Sequence, residues 1–190
     1  MENYVLKYII PAYIMHLYTP QEDILGVKFG IGFDGQLINS LIPENDDVLD
    51  KFRQIAKRNG DTTYYHPIST CFPLPCLSDG GSRFDVYCDK NYADYPAGAS
   101  LNDLITIYFY SAMEFVKSNY ATDNSKPVKE YCLPLNEFNS GNHYLLAYDK
   151  VITFILNAKP DDMEEYSFRF VYSDISGKEM MHDAIFKRGY

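Results

Sequence analysis

Tyr166-Ser-Phe-Arg-Phe-Val-Tyr172 sets Tyr166, Phe168, Phe170 and Tyr172 on one face by strict alternation, the mark of a half-buried strand. Upstream, Val151-Ile-Thr-Phe-Ile-Leu156 repeats the pattern with Ile152, Phe154 and Leu156, and Pro160-Asp-Asp separates the two runs. Downstream, Asp174-Ile-Ser-Gly177 turns the chain into Lys178 to Lys187, a last strand. Three antiparallel neighbours are expected from these runs. Such sheets bury one face and wet the other. Composition agrees, since 18 Tyr and 12 Phe with no Trp suit a pleated, half-buried surface better than a helix.

Further back, Ile24 to Phe33 places Leu25, Val27, Phe29, Ile31 and Phe33 on one face and predicts a strand ending at an Asp34-Gly35 turn. Its glycines at 26, 30 and 32 match neither the dinucleotide fingerprint nor the Walker pattern, so they read as a glycine-bent strand. Residues 4–18 are apolar enough to dock on the core, split in two by Pro11, with Thr19 to Asp23 as a turn. Glu44 to Gly60 predicts a helix: acidic residues open it, Val48, Leu49, Phe52, Ile55 and Ala56 form one stripe, and Lys57, Arg58 and Gly60 close it. From Asp61 to Gly81, three prolines and two glycines read as ordered loop. A short strand follows at Ser82 to Cys88. Residues 104–110 read as a strand and a short helix runs on to 119 from the capping box Ser111-Ala-Met-Glu114, with one continuous helix as the alternative. The whole is a mainly β antiparallel sandwich with one or two covering helices, α+β being the alternative.

At 190 residues the chain suits a single domain over 1–190, able to bury roughly 70% of its unfolded surface. Seventeen basic against 26 acidic residues give a net charge of -9, which disfavours nucleic acid and anionic membrane surfaces as partners. Cys71, Cys76, Cys88 and Cys132 lack metal spacing; a Cys71–Cys76 disulfide and buried thiols both remain open readings. Residues 1–18 are interrupted by Lys7, Pro11 and His16 and carry Glu2 where a signal peptide wants positive charge.

Between the strand at 82–88 and residue 104 lies Cys88-Asp-Lys-Asn-Tyr-Ala-Asp-Tyr-Pro-Ala-Gly-Ala-Ser-Leu-Asn-Asp103, a polar, turn-forming loop. With Leu104 it resembles a run in cell-envelope lipoproteins of Bacteroides-type bacteria, which reads roughly Ser-Asp-Lys-Asp-Phe and then Pro-Ala-Gly-Ser-Ser-Leu-Asn-Asp. The resemblance is strongest at Cys88–Leu104, extends over 83–120 and the C-terminal strands, and is weak before residue 60. It implies an extracytoplasmic, lipid-anchored protein with a mostly β, immunoglobulin-like core, and brings no activity with it. The lipidated cysteine and signal peptide of such proteins are not visible in these residues, so membrane contact and localisation rest on the resemblance.

Read from its own residues, the loop offers two sites. Asp89, Asn91 and Asp94 present hard oxygens suited to Ca2+, though turn-making explains them as well. Tyr87, flanking the loop, and Tyr92 and Tyr95 within it offer rings that stack on sugars or contact a protein. The four histidines at 16, 66, 143 and 182 are scattered, and no nucleophile stands beside a base. The reading is therefore a non-catalytic binding or structural module whose partner is a saccharide or another envelope protein. A small hydrolase-type enzyme with a dispersed active site is the alternative.

Overall fold

The computed structural model describes residues 2–23, 25–40, 45–62, 71–78, 82–120, 128–141, 143–148, 150–160 and 164–188. In chain order the elements are β1 (Glu2–Asp23), β2 (Gly26–Asn39), α1 (Asp46–Arg58), β3 (Cys71–Leu77), β4 (Arg83–Cys88), β5 (Ile105–Ser111), α2 (Met113–Lys117), β6 (Lys129–Pro134), α3 (Leu135–Asn139), β7 (Ile152–Leu156), β8 (Glu165–Ser173) and β9 (Glu179–Lys187). They form a mainly β sandwich of two sheets, ordered β3-β1-β2-β7-β5-β6 and β4-β8-β9. All pairings are antiparallel except β1 with β3.

The core between the sheets is a lattice of rings supplied by the alternating faces. Phe29 meets Phe168 and Phe170 at 5.1 and 5.2 Å, and Phe84 meets Phe154 and Tyr172 at 5.0 and 5.2 Å. Each such pair adds about 0.5–1.5 kcal/mol beyond the area it buries. β8 and β9 pair as expected, but β7 lies between β2 and β5 in the opposite sheet. Thus the expected three-strand neighbourhood is corrected: the chain crosses the sandwich between Leu156 and Glu165. Alternation shows that one face is buried; it does not say whether the next strand lies beside it or across the core.

Four further corrections concern the N-terminal half. β1 is a single 22-residue strand with no turn at Thr19–Asp23, its register against β2 shifting between Pro11 and Tyr13, between His16 and Tyr18 and between Tyr18 and Gln21. Leu25 sits outside the buried face, 56% exposed beside the β1–β2 turn. β2 does not stop at Asp34-Gly35 but continues to Asn39, and a side chain at Gly35 would sit 2.0 Å from the carbonyl oxygen of Ile10. β3 is a strand within the stretch read as loop, with Pro73 and Pro75 paired to β1. Because β3 is extended through Cys71 and Cys76, their Cα atoms stand roughly 16 Å apart, too far for a disulfide.

The outer face of the larger sheet is covered at one end. Asn45 accepts a hydrogen bond from the Val48 amide at 3.0 Å and starts α1. Phe52, Ile55 and Ala56 then bury against Val5, Tyr8 and Ile38, with the Phe52 and Tyr8 rings 5.2 Å apart. α2 adds Met113 and Val116 to this second core. Residues 145–148 link the sheet's distant strands: Leu77 N donates to Leu146 O and Tyr148 N to Pro75 O on the β3 side, while Ala112 N donates to Leu145 O and Ala147 N to Tyr110 O on the β5 side, each at 2.9 Å. The larger sheet therefore curls until β3 is tied to the end of β5.

A candidate binding cleft on the three-stranded sheet

The smaller sheet turns Phe84, Val86, Phe168, Phe170, Met180 and Ala184 inward, so the intervening residues face out. Strand register sets those outward residues in rows: Asp85, Val171 and Met181 form one, and Tyr87, Arg169 and Asp183 the next. A cleft of about 630 Å³ lies over these rows. Ala97 and Gly98 from the 88–103 loop contribute to its lining.

That loop is there because β4 is an edge strand whose backbone needs partners. Gly98 N donates to Cys88 O and Leu101 N to Val86 O, both at 2.8 Å. Side-chain amides complete the cover. Asn102 Oδ1 accepts from Val86 N at 3.0 Å while its Nδ2 donates to Asp85 Oδ1 at 2.7 Å. Asn139, at the end of α3, accepts from Phe84 N at 3.1 Å and donates to Phe84 O at 2.6 Å, imitating a paired strand residue. Asparagine suits both places because one planar group carries donor and acceptor.

Two arginine–carboxylate forks fix the charge in and around the cleft. Arg83 donates from Nε and Nη2 to both Asp85 oxygens at 2.8 Å. Arg169 does the same to Asp183 at 2.8 and 2.9 Å. The Arg83 hydrogen bonds hold the Asp85 carboxyl below the usual carboxylate range, outweighing a burial effect that acts upward, with Asn102 assisting. Asp183 is held low in the same way, chiefly by Arg169. These carboxylates stay ionised, and their geometry offers fixed acceptors beside guanidinium donors.

The six residues singled out in the sequence separate on inspection. Tyr87 is half-buried on the cleft's outward face. Tyr92 is 2% exposed, donates to Ala158 O at 2.7 Å, and packs on Tyr166 and Phe168, so it belongs to the core and presents no ring to a ligand. Tyr95 is half-buried outside the cleft lining, its hydroxyl 3.3 Å from Asp103 Oδ2. Asp89 lines the cleft but extends the β4–β8 ladder, accepting from Ser167 N at 2.9 Å and donating its own amide to Ser167 O at 3.0 Å. Asn91 Oδ1 accepts from Ala97 N at 2.9 Å, closing the turn, and Asp94 is exposed. Among the described residues no three of His, Cys, Asp and Glu gather closely enough to hold a metal ion.

Sequence reasoning missed Arg169, Asp183 and Met181, which the register brings to Tyr87 from two later strands. Their signal was present in the outward phase of the same alternation that gave the core. Of the histidines, His143 Nε2 lies 3.4 Å from the amide oxygen of Asn59, and the His66 position and the His16 side chain fall outside the described residues. Among the described residues no helix is long and apolar enough to cross a membrane. No family model, curated protein or solved structure matches the chain.

Proposed function

We propose that this chain is a non-catalytic saccharide-binding module of the cell envelope and that its ligand lies in the cleft over β4, β8 and β9. The observation that carries the reading is the row Tyr87, Arg169, Asp183: a half-buried ring beside a locked donor–acceptor fork, within about 630 Å³ of open space. A ring face takes the apolar side of a sugar, and a fixed guanidinium–carboxylate pair exchanges hydrogen bonds with its hydroxyls. The two carboxyls of the rows themselves favour binding: Asp85 and Asp183 are each locked in an arginine fork and held low, which suits a fixed acceptor better than the proton donor that glycosidic cleavage needs. The envelope assignment rests on the resemblance of the 88–104 run.

A glycan array tests the reading. The wild-type chain is expected to retain a defined set of saccharides, and Tyr87→Ala and Arg169→Ala to lose them without losing the fold. No retained saccharide, or retention unchanged in Tyr87→Ala, contradicts it. Met181 and Ile185, 60% and 58% exposed on the outward side of β9, favour a protein ligand as the second reading. In that case Met181→Asp with Ile185→Asp abolishes the protein complex, and the array stays blank.

A further inference from the structure

α1 faces the turn between β8 and β9 across another cavity, about 240 Å³ in volume, that shares no lining residue with the cleft. Its apolar lining is Ile10 from β1, Ile55 from α1 and Ile175 from the turn. On the helix, Lys51, Ile55 and Arg58 stand at i, i+4 and i+7, so one stripe presents an isoleucine between two cations. Asp174 and Ser176 line the cavity from the turn.

Both charged sides are preset. Arg58 Nη2 donates to Ser78 O at 2.9 Å and Lys51 Nζ donates to Gln36 Oε1 at 3.0 Å. Those acceptors are neutral: they orient the cations and do not themselves cancel the charge. Asp50, next to Lys51 in the chain, is engaged by Arg53 at 2.8 Å and does not line the cavity. On the turn, Asp174 Oδ1 accepts from Ser176 N at 2.8 Å, Ser176 Oγ at 2.6 Å and Lys178 N at 2.9 Å, which fixes the loop. All three bonds fall on one oxygen, so the other keeps its acceptor sites. Burial pushes the Asp174 carboxyl up, but the hydrogen bonds from Ser176 and Lys178 outweigh it, and the group stays ionised. Ile175, beside it, is 50% exposed.

From this we infer that the cavity binds a free aliphatic α-amino acid. Lys51 and Arg58 meet its carboxylate, Asp174 meets its ammonium, and the three isoleucines take its branched side chain. The opposed charges choose this occupant over a simple anion or a simple cation, since either of those leaves one charged side facing an apolar group. The volume lies below the range of about 300–1,000 Å³ that suits drug-sized ligands, which fits a small molecule of this kind. Because no residue is shared with the cleft, the inference does not rest on the saccharide reading.

The test is an NMR titration of the isotope-labelled chain with L-leucine and with its two halves, isocaproate, which lacks the ammonium, and isoamylamine, which lacks the carboxylate. Leucine is expected to shift the amides of Gln54, Ile55, Arg58, Ile175 and Ser176 saturably, and each half to bind about tenfold more weakly, through the loss of one charge-assisted partner. Arg58→Gln should weaken leucine about tenfold and close its gap to isoamylamine, and Asp174→Asn should weaken it about tenfold and close its gap to isocaproate. The asparagine keeps an acceptor oxygen for the turn and removes only the charge. Lys51→Gln, on the exposed helix surface, tests the cationic side if Arg58→Gln does not fold. Tyr87→Ala, in the cleft, should bind leucine as the wild type does, so the failure of one site is distinguishable from the failure of the other. The inference is overturned by the absence of saturable shifts with leucine, by shifts centred on the cleft, or by either half binding as tightly as leucine. Leucine binding unaltered by Arg58→Gln, Lys51→Gln and Asp174→Asn overturns it as well.

Discussion

Replacing Asn102 by alanine removes two things at once: the acceptor for Val86 N and one donor to Asp85. Val86 lies at the covered edge of β4 and is fully buried, so its amide would be left without a partner, at a cost of about 1–3 kcal/mol. Asp85 keeps Arg83, so its lost hydrogen bond costs less, about 0.5–1.5 kcal/mol. The sum, about 1.5–4.5 kcal/mol, is a large part of a stability that is typically about 5–15 kcal/mol. It corresponds to a fall in Tm of about 3–18 °C for a chain of this size. Asn102→Asp separates the two roles, since it keeps an acceptor for Val86 N but places a carboxylate oxygen against Asp85. That variant should be destabilised at neutral pH and recover part of the loss on mild acidification, as the pair takes up a proton. Urea unfolding followed by circular dichroism, with an unchanged m-value, measures both. Asn102→Ala within about 0.5 kcal/mol of the wild type, or Asn102→Asp as stable as the wild type at neutral pH, would refute the role given to the loop in covering β4.

Three other outcomes are expected. Gly30→Val should expel Tyr18 from its place beside Thr153 and cost about 1–3 kcal/mol in thermal unfolding; an unchanged Tm would show that the ring does not need the glycine. Cys132, exposed on β6, should take up maleimide in the native protein, whereas Cys88, buried and with its thiol pushed up to about 11 by that burial, should label only in denaturant. Peptide mapping separates the two sites, and native labelling of Cys88 would contradict its placement. On acidification, the depressed carboxyls of Asp85 and Asp183 contribute stability that is present above the unfolded carboxylate pKa, about 3.9, and lost as pH falls through their lower folded values. Arg83→Gln should therefore raise the pH at which acid unfolds the chain, and an acid transition left in place counts against the Arg83–Asp85 fork.

The elements that were legible in the sequence are those whose burial has a single period. Phe168, Phe170 and Tyr172 alternate into one core, and α1 carries its cap, stripe and basic end in order. β5 with α2 follows the reading as strand then helix, but the capping box does not form: α2 starts from Ala112 with no side-chain cap, and the Ser111 hydroxyl instead accepts from Met113 N at 3.2 Å and from Leu145 N at 3.0 Å. Prolines hid β1 and β3. Pro11 looks like a break and instead precedes a register shift, and the carbonyl of Pro75 is satisfied by Tyr148. Such accommodations depend on strands far away in the chain and leave no local mark. Tyr92 was misread for a related reason, because a polar loop suggests exposure, whereas the Tyr92–Tyr95 turn folds its ring back onto Tyr166 and Phe168. The cleft was half legible: Tyr87 stood out beside the loop, at the end of β4, while its partners on β8 and β9 are joined to it only by register.

The most direct measurement of the central claim is a map of amide chemical-shift changes as the strongest array saccharide is titrated into the labelled chain. The account predicts that the changes at low saturation concentrate at Tyr87, Ala97, Gly98, Arg169, Met181 and Asp183. Shifts centred elsewhere, or an unperturbed β4–β8–β9 face at saturating ligand, would contradict it.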